Sequence, residues 1–136
     1  MMPGSTPRNT FPRSEKLKSR NALEALYGQG VPYSAYPIRM LTLKVPFDAA
    51  HPVKIAVSAP KRKLKAAPDR NRMKRLMREA WRLHKHDFIQ HCRTREVSYH
   101  LLLISQCNTP VPYALVKEKI TLLLKRLTED DQKSPE

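Results

Sequence analysis

The most informative stretch of this 136-residue sequence is strongly basic: residues 61–85 read KRKLKAAPDRNRMKRLMREAWRLHK. Eleven of these residues are lysine or arginine, and only two are acidic. After Asp69, which is expected to be the N-cap, apolar residues recur at intervals of three and four, and this spacing predicts an amphipathic helix that packs on a sheet. The apolar positions that share this face are Met73, Leu76, Met77 and Ala80.

A second side of the same helix carries positive charge. The positions that step along it by four and three are Asn71, Arg75, Arg78, Arg82 and Lys85, with Lys74 beside them. Guanidinium groups bind phosphate oxygens in bidentate fashion, and closely spaced arginines repel one another unless a polyanion lies against them. The stripe therefore favours a nucleic-acid interface over a solvated charged face.

The charge of the whole chain points the same way. Lys and Arg total 26, Asp and Glu total 12, and the net charge is +14. A chain this basic calls for a polyanionic partner, either nucleic acid or an anionic membrane. The longest strongly apolar run, Leu101 to Ile104, is far too short to span a bilayer. The first fifteen residues contain no apolar stretch typical of a signal peptide, so we expect a cytoplasmic protein without a membrane role.

The residues before the basic stretch predict one helix and two strands. The helix is expected from about Glu15 to Tyr27, with Ser14 as its N-cap. A strand is expected over residues 37–45. A second strand is expected over residues 53–58, where apolar and polar side chains alternate as in a half-buried strand.

The residues after the basic stretch complete the predicted fold. Residues 98–105 are apolar on both faces, which is typical of a central buried strand. A final helix is expected after Pro112, and its apolar stripe is Val116, Ile120, Leu123, Leu124 and Leu127. The prediction is an α+β fold, a two-layer α-β sandwich with a small mixed sheet and the order α-β-β-(β)-α-β-α, in which the bracketed strand is a further short one in the loops.

The chain is expected to form one domain over residues 14–128. Residues 1–13 are rich in Pro, Ser and Thr and are interpreted as a flexible arm. Residues 129–136, EDDQKSPE, are interpreted as a disordered acidic tail.

Side chains that could carry chemistry are sparse. His84, His86, His91 and Cys92 lie close together, but their spacing does not match zinc-binding pairs. Three glycines are too few for a Gly-rich phosphate loop, and no Ser-His-Asp or carboxylate pair stands out. We therefore expect no catalytic residue and no metal site in the protein itself.

The basic helix resembles the protein subunit of bacterial ribonuclease P. Residues 70–80, RNRMKRLMREA, match the family's Arg-Asn-Arg, basic pair and Arg-Glu pattern. Residues 60–65 (PKRKLK), 11–13 (FPR) and 16–20 (KLKSR) are similar to the family's preceding segments, and the resemblance covers about residues 11–125. It implies that a large catalytic RNA with bound Mg²⁺ removes the 5′ leader of precursor tRNA, while the protein binds that RNA and the leader. It also implies a left-handed βαβ crossover around the basic helix.

The resemblance further implies which residues bind RNA. Those expected to contact the catalytic RNA subunit are Arg70, Asn71, Arg72, Lys74, Arg75, Arg78 and Arg82. The leader is expected in a cleft between the first helix and the sheet. The residues expected to contact it are Tyr27, Lys61, Arg62 and Lys65. Leu23 and Leu41 stand where relatives often carry an aromatic ring, which predicts weaker base stacking in this cleft.

Several alternatives stay open at the level of sequence. Composition alone also fits a structural RNA-binding protein of the ribosomal type, and a basic helix can enter a DNA groove, although no partner helix at helix-turn-helix spacing is visible. Tyr27 is as compatible with core packing as with stacking on a base. Trp81, at the edge of the apolar face, is expected mainly to pack.

Overall fold

The computed structural model describes residues 11–133. Within that range the chain forms four helices and four strands, preceded by a short 3-10 turn at Arg13–Glu15. The elements in chain order are α1 (Arg20–Gln29), β1 (Val31–Ala35), β2 (Ile38–Val45), β3 (Val53–Ser58), α2 (Ala67–His84), α3 (His86–Arg95), β4 (Ser98–Ser105) and α4 (Tyr113–Lys133).

The strands form one mixed sheet in the order β1-β2-β4-β3. β1 and β2 pair antiparallel, as do β2 and β4, whereas β3 and β4 run parallel. The predicted central strand is confirmed, because β4 has a neighbour on each side and six of its eight residues are buried. The segment α2–α3 connects the parallel neighbours β3 and β4; the left-handed sense of this crossover stays a prediction.

The two faces of the sheet carry different helices. Leu101 and Leu103 of β4 belong to the main core, which they share with α2, α3 and α4. Leu102 points to the opposite face, where it packs with Leu41 and with Leu26 of α1. Successive side chains of a strand alternate between faces, so α1 lies across the sheet from the other helices. The predicted two-layer sandwich therefore has a partial third layer formed by α1.

The first helix begins later than predicted. α1 starts at Arg20, and its N-cap is Ser19, whose Oγ accepts a 3.2 Å hydrogen bond from the Ala22 amide. Ser14 instead lies in the 3-10 turn. The reason is a long-range contact: the Leu17 amide donates a 2.9 Å hydrogen bond to the Ile55 carbonyl, so this segment runs beside the edge strand β3. Local capping signals could not reveal that pairing.

Three further expectations need correction. The predicted order places the further short strand after the two longer ones, but this strand is β1 and it comes before them. The sequence also did not predict α3 as a helix separate from α2. Residues 129–133 are not a disordered tail, because α4 continues to Lys133 and buries Asp131. In the predicted N-terminal arm, Phe11 packs against the core, while residues 1–10, like residues 134–136, lie outside the described range.

No helix within residues 11–133 is both long enough and apolar enough to cross a membrane.

Candidate RNA-binding surface

The predicted apolar face of α2 is buried as expected. Met73, Met77 and Ala80 have no solvent exposure, and Leu76 is partly buried against the same core. Trp81 is also fully buried, which confirms its packing role. This burial holds the helix in one orientation, so its opposite side is presented as a rigid surface.

That opposite side carries most of the predicted RNA-binding residues. Asn71, Arg72, Arg75 and Arg78 are exposed, and Lys74 is partly exposed. Positions 71, 75 and 78 are separated by four and three residues and therefore lie one above another on the helix. We call this surface, made by Asn71, Arg72, Lys74, Arg75 and Arg78, the basic stripe.

The end of the helix departs from the predicted stripe. The Arg82 Nη2 atom lies 2.6 Å from Glu79 Oε2. This hydrogen-bonded pairing lowers the pKa of Glu79 and raises that of Arg82. Lys85, predicted to be displayed, is buried beside Glu15 and is not part of the surface. The positive charge that α2 offers to a ligand is therefore concentrated in residues 71–78.

Arg70 has a structural task at the start of α2. Its Nη1 atom donates hydrogen bonds to the carbonyl oxygens of Leu64, at 3.0 Å, and Lys65, at 2.8 Å. These contacts fasten the preceding loop to the helix. The predicted cap is wrong, because the N-cap is Ala66 and makes no side-chain hydrogen bond. Asp69 lies in the first turn instead, where its charge still favours the positive end of the helix dipole.

The loop between β3 and α2 presents a second group of cations. Lys61, Arg62, Lys63 and Lys65 are all exposed, while Leu64 between them is buried and anchors the loop. An open depression of about 520 Å³ lies here, lined by Arg62, Lys63, Lys65, Ala66, Asp69 and Asn108. The three predicted leader contacts in this loop therefore lie next to the N-terminus of α2.

A cleft also lies between α1, β3 and α2, and we call it the α1 cleft. It encloses about 480 Å³ and is lined by Phe11, Lys16, Leu17, Lys18, Leu23, Ile55, Ala56, Val57 and Arg78. Its floor is apolar and its cations are Lys16, Lys18 and Arg78. A cleft between the first helix and the sheet was expected, but Lys16 and Lys18 were not among the predicted site residues. The alternation around buried Leu17 was a signal that could have indicated them.

Tyr27 lies on the last turn of α1 with 63% of its surface exposed, so it is not a core residue. It is not among the described residues that line the α1 cleft. The predicted leader contacts are thus divided between the helix end that carries Tyr27 and the loop that carries Lys61, Arg62 and Lys65.

Metal-ligating side chains do not cluster in the part of the chain that the structure describes. There, no group of three or more His, Cys, Asp and Glu residues is placed to hold a metal ion. The Nε2 atom of His91 instead lies 2.7 Å from Oδ2 of Asp131, within hydrogen-bonding distance.

Comparison with known proteins identifies the family. A family model described as Ribonuclease P matches residues 11–128, which include α1, the whole sheet and the basic stripe. The chain belongs to the ribonuclease P protein family. The Arg-Asn-Arg motif by which the sequence resembles this family, residues 70–72, lies in the first turns of α2.

Curated members of the ribonuclease P protein family are similar over part of their length. The ribonuclease P protein component of Porphyromonas gingivalis is 36% identical over 74 residues, which is 54% of each chain. That of Chlorobaculum tepidum is 35% identical over 80 residues, covering 57% of this chain and 52% of the relative. The chain thus spans about half the length of the curated relatives it matches.

Solved ribonuclease P proteins share the fold. The Staphylococcus aureus protein superposes with a TM-score of 0.64 at 16% identity, covering 83% of this chain and 94% of that one. The Thermotoga maritima protein gives a TM-score of 0.65 at 22% identity, covering 82% and 96%. The four-stranded mixed sheet with its four helices is therefore the architecture of this family.

Proposed function

We propose that this chain is the protein subunit of a ribonuclease P. It binds a catalytic RNA and the 5′ leader of precursor tRNA, and it promotes the Mg²⁺-dependent removal of that leader in the cytoplasm. The observation that carries this proposal is the basic stripe, in which Arg72, Arg75 and Arg78 are exposed on a helix whose apolar face packs into the core. Membership of the ribonuclease P protein family supports the same assignment.

In this proposal the catalytic RNA binds to the exposed side of α2. Because its apolar face is buried, the backbone of α2 is already ordered before RNA binds. The planar guanidinium groups on its exposed side suit phosphate oxygens. The residues assigned to this contact are Arg70, Asn71, Arg72, Lys74, Arg75, Arg78 and Arg82. Within this set, Arg70 also holds the loop and Arg82 also pairs with Glu79. Arg72, Arg75 and Arg78 are the exposed arginines of the set and are expected to contribute most of the phosphate contacts.

The leader is assigned to the α1 cleft and its surroundings. An apolar floor can accept an unpaired base, and cations at the rim can hold its phosphates. Lys61, Arg62 and Lys65 extend this positive charge from the end of β3, and exposed Tyr27 offers a ring for stacking. Lys16 and Lys18 join this set because both side chains line the α1 cleft. Leu23 supplies an apolar but not an aromatic wall, so we expect modest sequence preference.

The chemistry is assigned to the RNA partner. Lysine and arginine side chains only donate hydrogen bonds, so the basic stripe does not fit Mg²⁺, which prefers oxygen ligands. In this proposal Mg²⁺ is bound mainly by the RNA subunit. The protein contributes charge: its cations reduce repulsion between the catalytic RNA and the leader, and less Mg²⁺ is then needed to hold them together.

Reconstitution tests the proposal directly. The full chain is mixed with a bacterial ribonuclease P RNA, and cleavage of precursor tRNA is followed across a Mg²⁺ titration. We expect the protein to lower the Mg²⁺ concentration required for half-maximal cleavage. Arg75→Ala should reduce this gain, whereas Lys125→Ala, an exposed cation on α4, should not. Equal cleavage with and without the protein at every Mg²⁺ concentration would overturn the proposal, and copurification with ribosomal RNA would favour the structural RNA-binding alternative.

A further inference from the structure

A buried ion pair joins the segment before α1 to the end of α2. The Lys85 Nζ atom lies 2.7 Å from Glu15 Oε1, and the same oxygen accepts a 3.4 Å hydrogen bond from Trp81 Nε1. The Lys85 side chain is only 3% exposed and that of Glu15 is 17% exposed. Removing two charges from water costs free energy that their attraction often does no more than offset. Such a pair is therefore better explained by the geometry it imposes than by added stability.

The ion pair is one of two contacts that fix the backbone on either side of Lys16. On one side, Glu15 is held by the end of α2 through Lys85. On the other side, the Leu17 amide is held by the Ile55 carbonyl at the edge of β3. Lys16 lies between these two attachments, so its main chain has little freedom.

The same attachment relates the segment to the basic stripe. Lys85 is the C-cap of α2 and has helical backbone angles. It follows Arg78 by seven residues, which is close to two full turns, so the two residues lie on the same side of the helix. Arg78 lines the α1 cleft together with Lys16 and Lys18. The Glu15–Lys85 pair therefore connects the segment that carries Lys16 and Lys18 to the helix that carries Arg78.

We propose that Glu15 is a positioning residue for RNA binding: its ion pair with Lys85 holds Lys16 and Lys18 opposite Arg78, so that the α1 cleft presents three cations in one arrangement to the phosphates of a single-stranded leader. This inference rests on the proposed function and names the device that orders its leader site. Glu15 itself, as an anion, is not expected to touch the leader.

The sign of the effect separates this role from simple electrostatics. Replacing Glu15 with glutamine removes a negative charge from an RNA-binding protein, and Coulomb attraction alone would then strengthen binding to every RNA. Loss of positioning predicts the opposite result, and only for RNA that enters the cleft. Glu24→Gln is the matched control, since Glu24 is an exposed acid on α1 and its replacement changes the net charge equally.

The experiment uses the holoenzyme assembled from the full chain and a bacterial ribonuclease P RNA. Dissociation constants are measured for precursor tRNA and for the same tRNA without its leader. The constant without the leader divided by the constant for precursor tRNA reports the leader's contribution, and this ratio exceeds one when the leader strengthens binding. We expect Glu15→Gln to lower this ratio by roughly threefold to tenfold, as displaced groups lose their alignment. The slope of log affinity against log salt for precursor tRNA should also become shallower by about 0.7 for each phosphate that the protein no longer neutralises. Glu24→Gln should leave the ratio unchanged.

The outcomes distinguish the two proposals. If the native holoenzyme binds precursor tRNA and leaderless tRNA with equal dissociation constants, it has no leader site, and the proposal that the protein binds the leader is wrong. A native protein that favours the leader, combined with an unchanged ratio for Glu15→Gln, overturns the positioning role. If Glu15→Gln does not fold, as judged by circular dichroism, Lys85→Met tests the same pair from the other side, with Lys125→Met as its control. If Lys85→Met lowers the ratio of the dissociation constants and Lys125→Met does not, the result supports the positioning role. If the two variants give the same ratio, the positioning role is overturned.

Discussion

The Tyr99 hydroxyl donates a 2.9 Å hydrogen bond to Oδ1 of Asp131, which ties the central strand β4 to the last turn of α4. The Asp131 side chain is completely buried and also lies close to Lys44 at 2.8 Å, His91 at 2.7 Å and Arg95 at 2.9 Å. One carboxylate therefore connects α4 to β2, α3 and β4.

Asp131→Asn should destabilise the protein. The amide oxygen can still accept from Tyr99, but the substitution removes the negative charge that pairs with Lys44 and Arg95. We expect the free energy of unfolding to fall by about 2–4 kcal/mol, as for other disrupted buried ion networks. Urea unfolding measures the change, with Glu129→Gln on the exposed side of α4 as the control. Identical unfolding curves for Asp131→Asn and the native protein would contradict this role.

The same carboxylate should make stability depend on acid pH. Burial alone would raise the pKa of Asp131, but hydrogen bonds from Lys44, Tyr99 and His91 outweigh it and lower the pKa to about 2, from an ordinary value of 3.8. Because the folded state has the lower pKa, this contribution is present above about pH 4 and disappears as the pH falls towards 2. The stability gap between the native protein and Asp131→Asn should thus narrow by about 2 kcal/mol from pH 6 to pH 2. A gap that stays constant would argue against an ionised Asp131.

Removing one arginine of the basic stripe should change how RNA binding depends on salt. Arg75 is exposed on α2, and Arg75→Ala is expected to weaken binding to the catalytic RNA. The slope of log affinity against log salt should fall by about 0.7–0.9 if the variant neutralises one phosphate fewer than the native protein. Arg72→Ala should behave similarly, and Lys125→Ala on α4 should retain the native slope. A native slope for Arg75→Ala would mean that this side chain faces solvent in the complex.

Arg70 should differ from Arg75 because it also holds the loop. Arg70→Ala removes the donor to the Leu64 and Lys65 carbonyl oxygens, and it should cost about 1–2 kcal/mol of folding stability. Amide hydrogen exchange over residues 61–66 should then accelerate. Arg75→Ala serves as the comparison, since it removes the same kind of charge without touching the loop. Equal exchange in the two variants would show that Arg70 does not order this segment.

The single tryptophan offers a direct spectroscopic check on α2. Trp81 is fully buried, so its fluorescence should resist quenching by acrylamide and should stay nearly unchanged when RNA binds. Trp81→Ala should destabilise the protein by about 3–5 kcal/mol, because it leaves a cavity in the core. Strong quenching of Trp81 upon RNA binding would instead indicate contact with a base.

The features that were predicted correctly are those that depend on the spacing of residues close together in the sequence. Strand β3 was expected from alternation over residues 53–58 and strand β4 from an apolar run over residues 98–105, and both have those bounds in the structure. The two sides of α2 followed from steps of three and four. Periodicity reports which residues share a face, and a face that is apolar must be buried wherever the element packs.

The tertiary structure alone decided which charged residues are available to RNA. Lys85 has the spacing of a displayed cation, yet it is buried on Glu15, which lies 70 positions earlier in the chain. Asp131 belongs to an acidic, polar segment, yet it is buried among side chains from three other elements, β2, α3 and β4. Local spacing could not distinguish these residues from Arg75 or Glu129, because a charge enters the interior only when distant partners compensate for its loss of water. The sequence by itself thus determined the basic helix and its two faces, whereas long-range pairing determined where the usable cations and the α1 cleft lie.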